Sequence, residues 1–127
     1  MKKVTALDKA KSIAQLAAEK KGEDIVLMDM RNISTMFDWF VLITASSYRR
    51  INAISQTIQK NLSKERISAL HVEGKQNPYW VLLDYEDVVV HVFYKEIREF
   101  YGLEQLWSEA PIERFDNKCL AKTSRKK

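Results

Sequence analysis

Residues 80–93 read WVLLDYEDVVVHVF, two apolar runs parted by the acidic tetrapeptide Asp84-Tyr85-Glu86-Asp87. Runs of this length and β-branched content build strands in the middle of a sheet. With Tyr85-Glu86 as a two-residue loop, they close into a hairpin. Asp84 then faces Asp87, Leu83 faces Val88, Leu82 faces Val89, Val81 faces Val90 and Trp80 faces His91. Side chains alternate along a strand, so these pairs sort onto two faces. One face holds Val81, Leu83, Val88, Val90 and Val92 and is wholly aliphatic, which is core. The other holds Trp80, Leu82, Val89, His91 and Phe93, rimmed by Asp84 and Asp87. Aromatic anchors bordered by charge are the composition of an interaction surface. A second reading stands beside it: Trp80 and Phe93 pack as ordinary core beneath C-terminal helices, and His91 is a hydrogen-bonded structural histidine. The turn is the weak point, because Tyr-Glu lacks the positive-φ residues a type I′ turn prefers; a longer loop would move the register.

Working outward, Thr5 with Asp8 three residues later opens a first helix, whose small-residue stripe is Ala6, Ala10, Ile13, Ala14 and Ala17. Gly22 is its expected C′ residue. Residues 24–30 and 39–44 are continuous apolar runs, read as buried strands. Ser46 and Ser47 are N-cap residues for a helix that presents Ile51, Ile54, Ile58 and Leu62 on one face. Residues 67–72 form a weaker third strand, and Pro78 holds the start of the fourth to Tyr79 or Trp80. Short helical pieces follow over residues 95–101 and 103–107, divided by Gly102. The order is α-β-β-α-β-β-β-α. It predicts an α/β (α+β) fold, with a mixed sheet of about five strands flanked by helices.

The chain has 127 residues, the size of about one domain, with 46% hydrophobic and 30% charged residues, as in soluble globular proteins. No apolar run approaches the roughly 20 residues that span a bilayer, and the N-terminus has no continuous apolar stretch of a secretory signal. The single cysteine, Cys119, has no internal disulfide partner. A reducing, cytoplasmic setting follows as an expectation. The net charge of +4 suggests a nucleic-acid binder until it is located. Lys118, Lys122, Arg125, Lys126 and Lys127 supply five positive charges with no acid among them, so residues 1–117 are left one unit negative. The basicity belongs to an expected flexible tail, residues 116–127, suited to peripheral, salt-sensitive contact with RNA. Residues 1–115 form the expected single domain.

Catalysis finds little support in the residues. Phosphoryl or nucleotidyl transfer is the strongest enzymatic alternative, with Asp38, Asp84 and Asp87 around a divalent metal and residues 44–47 against a phosphate. A metal pair on one strand wants Asp-x-Asp, however, and here Asp-x-x-Asp crosses a turn. The phosphate loop has no glycine. Only His71 and His91 offer imidazole, so neither a metal nor a cofactor is expected.

The assembled pattern resembles the ribosomal silencing factor (Iojap-like) family. The matching segments are Asp24-Ile25-Val26 with Asp29, residues 37–42 running into Thr44-Ala45-Ser46, Glu73-Gly74, and residues 80–93. Arg98 and Tyr101-Gly102-Leu103-Glu104-Gln105-Leu106-Trp107 complete it, so the likeness covers about residues 5–110. Ala45, Tyr79 and Glu86 depart from the usual pattern, Glu86 where the turn usually has Gly. The resemblance implies a nucleotidyltransferase-like fold without a working active site. It also implies a protein that binds the large ribosomal subunit through ribosomal protein L-fourteen, blocks joining of the small subunit and so represses translation. An RNA-binding accessory role in large-subunit assembly is the alternative. Carried over by residue, the resemblance puts the docking surface at Trp80, Leu82, Asp84, Tyr85, Asp87, His91, Phe93, Tyr101 and Trp107. A Trp- and Phe-bearing face also suits self-pairing, which makes a homodimer an alternative use of it.

Overall fold

The computed structural model describes residues 5–74 and 79–115, without the side chains of Phe100 and Tyr101. Pro78, Cys119 and the basic tail lie outside the described residues. The elements are α1 (Ala6–Glu19), β1 (Glu23–Asp29), β2 (Trp39–Ala45), α2 (Tyr48–Lys64), β3 (His71–Glu73), β4 (Trp80–Asp84), β5 (Val88–Tyr94), α3 (Lys95–Tyr101), α4 (Leu103–Leu106) and β6 (Ile112–Phe115). Among the described residues, six strands form one sheet in the order β3-β4-β5-β2-β1-β6. The β2–β5 pair is parallel and the other four pairings are antiparallel, so the sheet is mixed as expected.

Local chemistry sets the helix boundaries. Thr5 caps α1, its hydroxyl accepting from the Asp8 amide at 3.0 Å, and Ser47 caps α2 by accepting from the Arg50 amide at 3.1 Å. At the C-terminal end of α1, Gly22 N–H donates to the Ala17 carbonyl at 2.8 Å and Lys21 N–H to the Ala18 carbonyl at 3.0 Å, a Schellman motif. The left-handed residue is therefore Lys21, with a φ of 67°, and Gly22 stands one position later than expected. Space explains the glycine: a Cβ there would lie 2.9 Å from Ile43 Cγ2.

Two sequence expectations change. The third strand shrinks to His71–Glu73, and a sixth strand, Ile112–Phe115, joins the opposite edge beside β1. Its residues are mostly exposed, so Ile-Glu-Arg-Phe carries no burial signal for a sequence reading to find.

The hairpin also differs in register. Asp84 pairs with Val89, Leu82 with His91 and Trp80 with Phe93, so Asp84 does not face Asp87. The loop takes residues 85–87 and is closed by Val88: Tyr85 N–H donates to the Val88 carbonyl at 2.8 Å and Glu86 N–H to the Asp84 carboxylate at 2.8 Å. Glu86 itself adopts a φ of 79°, the left-handed position the longer loop requires. A two-residue displacement is even, so the paired strand residues Val81, Leu83, Val90 and Val92 and, opposite, Trp80, Leu82, Val89, His91 and Phe93 keep the faces the sequence assigned them.

Those faces meet different neighbours. Ile25, Leu27, Trp39, Val41, Ile43, Val81, Leu83, Val88, Val90 and Val92 lie with Ala10, Ile13, Ala14 and Ala17 of α1 and Ile51, Ile54, Ile58 and Leu62 of α2 in one buried cluster. Across the sheet, Val26, Met28, Phe40, Leu42, Val89 and Phe93 form a second cluster, packed by Leu103, Ile97 and Trp107 from the C-terminal helices. At about 1.5 Å of rise per residue, α2 reaches about 25 Å but α3 and α4 only about 10 and 6 Å. The second face is left partly open.

Candidate docking surface

The open part of that face is a groove of about 940 Å³. Trp80 and Leu82 of β4, Val89 and His91 of β5 and Phe40 of β2 line it, with Phe37 from the loop ahead of β2. His71, Val72 and Glu73 of β3, Gly74 and Asp84 complete its wall. Strand alternation puts Phe40 beside Val89 in the parallel β2–β5 pair, which extends the mixed face of the hairpin by one strand. Trp80 and Leu82 are half-buried and pack on the second cluster.

Aromatic edges hold the floor together. Phe40 meets His91 edge-on at 5.1 Å and Trp107 at 5.3 Å with an interplanar angle of 85°, while Phe37 lies 5.7 Å from Phe40. The border is acidic. Asp84 and Glu73 both reach the groove, and Glu73 contacts the Nε2 of His71.

His91 is the chemically distinctive member. The Trp80 indole N–H donates to its Nδ1 at 3.4 Å. Only 5% of the residue is exposed, and burial pushes the imidazole down to about 4, so the ring is neutral at pH 7. With Nδ1 accepting, the ring proton sits on Nε2. That nitrogen is buried and has no hydrogen-bond partner among the described residues.

Arg98 positions the covered half of the face. Its guanidinium donates to both carboxylate oxygens of Glu104 at 3.2 and 3.0 Å, to Thr44 Oγ1 at 2.7 Å and to the Asp24 carbonyl. Asp24 sits at the irregularity in β1 with a φ of 46°, so the one side chain ties α3 and α4 to a strained stretch of β1 and to the end of β2. Its charge lies 6.0 Å over the Phe93 ring. Sequence reading used Arg98 only as a matching letter; its partner Glu104 is six residues on, across Gly102, where helical spacing gives no pairing signal.

The nine residues named from sequence divide. Trp80, Leu82, Asp84 and His91 line the groove together. Phe93 is fully buried beneath, 5.7 Å from Trp80, and Trp107 packs beside Phe40. Tyr85 and Asp87 do not join them: Tyr85 is buried in the α1–α2 cluster, where burial raises its hydroxyl to about 12, and Asp87 pairs with Lys9 of α1 at 2.7 Å. The physical reason is the longer turn, which carries both onto the helix-covered side. Tyr101 belongs to α3, its side chain outside the described residues. Phe37, Phe40, His71 and Glu73 were missed; the first two stand inside the matched segment 37–42, where alternation along β2 sets Phe40 on the face opposite Trp39 and Val41, but its place beside the hairpin depends on the long-range pairing of β2 with β5. The carboxylates of the enzymatic alternative separate too, since Asp84 and Asp87 serve opposite faces, and no three His, Cys, Asp or Glu side chains converge among the described residues. No described helix is long and apolar enough to cross a membrane.

The sequence model of the family "Ribosomal silencing factor during starvation" matches residues 3–127. The ribosomal silencing factor RsfS of Bacillus subtilis is 39% identical over 110 residues, covering 84% of this chain and 93% of its own. A crystal structure of a Chromobacterium violaceum protein superposes with a TM-score of 0.79 at 29% identity, over 82% of this chain and 87% of that one. A mouse protein named mitochondrial assembly of ribosomal large subunit protein 1 is 26% identical over 99 residues, 76% of this chain and 43% of its own length. With the family match spanning the two helical layers, the sheet and the groove alike, the chain belongs to the ribosomal silencing factor family.

Proposed function

We propose that this protein binds the large ribosomal subunit through ribosomal protein L-fourteen and blocks joining of the small subunit by occupying its space. It acts in the cytoplasm as a non-catalytic repressor of translation, with no cofactor. The observation that carries the reading is the acid-rimmed apolar groove on the uncovered half of the sheet. Trp80, Leu82 and Phe37 supply desolvated contact area there, and Asp84 and Glu73 steer a basic partner toward it. A surface of about 800 Å² per side would form a stable complex. Steric exclusion needs no energy source.

The test is co-sedimentation with isolated large subunits. Trp80→Ala and Asp84→Arg should each lose pelleting while circular dichroism stays that of the parent, and the parent protein should prevent added small subunits from joining. Normal pelleting of both variants would place the site on another face. The name of the mouse relative favours a second reading, an accessory role in large-subunit assembly. Depletion then leaves immature large subunits, whereas a silencing role leaves mature subunits that join too readily. Deleting residues 116–127 should cost only a modest, salt-dependent part of the affinity. A homodimer through the same groove would compete with ribosome binding.

A further inference from the structure

His91 poses a problem that the free protein does not solve. Its ring lines the groove, one nitrogen is engaged by Trp80, and the other is a buried donor without an acceptor among the described residues. Such a donor destabilises the unbound fold, and an apolar residue of similar volume would avoid the penalty. Neighbours give no relief: Phe40 and Phe93 offer ring edges and faces, and Leu82, paired opposite on β4, is aliphatic.

We propose that the groove is a site for a carbonyl oxygen of a basic protein segment, which accepts the hydrogen bond from His91 Nε2 as an adjoining apolar side chain packs against Trp80 and Leu82. This rests on the docking reading above and adds the chemistry of recognition to it. The acceptor's class follows from the rim. Glu73 and Asp84 repel a carboxylate or an RNA phosphate entering the groove, so the acceptor is neutral, and the same two residues favour Lys or Arg flanking it. A neutral imidazole held with its proton on Nε2 is a donor of fixed direction, suited to a backbone or amide carbonyl. Trp80 and Leu82 are only half-buried and border the open side of the groove, from which the acceptor would approach the ring.

The experiment uses the full chain with Bacillus subtilis large subunits and purified L-fourteen protein. His91→Met should weaken binding to the subunits about three- to ten-fold, the range of one neutral hydrogen bond, while leaving the unbound protein's melting temperature unchanged or raised. Leu82→Arg should abolish binding. In protein labelled with nitrogen-15 histidine, the His91 Nε2–H proton should move downfield when L-fourteen is added. Parental affinity in His91→Met with binding lost in Leu82→Arg overturns the hydrogen bond and leaves the docking face standing. Parental affinity in Leu82→Arg overturns both. Should His91→Met fail to fold, the proton signal decides: a stationary resonance in the saturated L-fourteen complex, or a shift caused by protein-free rRNA instead, refutes the proposal.

Discussion

Under α1 and α2, Val41, Ile43, Leu83, Val90 and Val92 are fully buried among aliphatic neighbours, whereas across the same strands Phe40, Trp80, Leu82 and His91 border a cavity. Strand residues of the same hairpin thus serve two purposes that alternate one by one. The covered face is chiefly aliphatic, although it also buries Tyr85. The other face carries an indole, an imidazole and acidic residues, a combination that stabilises a single core poorly but recognises a partner well. The lid explains the division: long helices close one side and short ones stop partway across the other.

The sharpest way to break that comparison is to truncate neighbouring leucines. Leu83→Ala empties a fully buried site and should cost about 2–5 kcal/mol in urea unfolding. Leu82→Ala, half-buried beside the groove, should cost about 1 kcal/mol or less yet weaken binding to large subunits. Equal stability losses would mean that the groove is closed in solution.

Acid should expose the polar cost of the open face. His91 has a folded value near 4 against 6.5 for the unperturbed group, so the folded protein favours the neutral ring. Its contribution is complete above pH 6.5 and is lost as the pH falls toward 4, about 3 kcal/mol in all. His91→Met should flatten that part of the stability profile, measured by denaturation at pH 7 and pH 4. An unchanged profile would show that the ring is solvated in the free protein.

Arg98→Met tests whether the covered half depends on the guanidinium. It strips donors from Thr44, the Asp24 carbonyl and Glu104, whose side chain is 29% exposed and therefore recovers some hydration. A loss of about 2 kcal/mol is expected in chemical denaturation, with Trp107 fluorescence shifting as α4 loosens. Retained stability would assign the placement of α4 to apolar packing alone.

Much of this was legible in the residues for one reason: alternation survives an error in the turn. The two-residue loop was wrong by an even number, so Val81, Leu83 and Val90 still fell on the core side and Trp80, Leu82 and His91 on the other. The capped starts of α1 and α2 were visible because Ser and Thr hydroxyls act on amides two or three residues away. Long-range pairing was not. Nothing local says that β2 runs parallel to β5, so Phe40 could not be placed beside Val89, and an exposed edge such as β6 offers no pattern to read. Tyr85 and Asp87 were misplaced because residues inside a turn inherit no alternation from the strands they join.

Lys9 and Asp87 give the smallest effect and the cleanest separation of the faces. Lys9 Nζ lies 2.7 Å from the Asp87 carboxylate and 3.4 Å from the Tyr85 carbonyl, pinning the β4–β5 turn to α1. The lysine side chain is 13% exposed but the aspartate 37%, so water screens the pair and Lys9→Met should cost no more than about 1 kcal/mol. Asp87→Asn should likewise leave binding to large subunits unchanged, because that carboxylate is engaged on the helix side. Asp84→Asn removes a charge from the groove and should slow association most at low salt. Comparing association rates of the two asparagine variants across ionic strength therefore reads the faces by charge alone: a salt-dependent defect in Asp87→Asn equal to that in Asp84→Asn would mean the partner wraps over the turn.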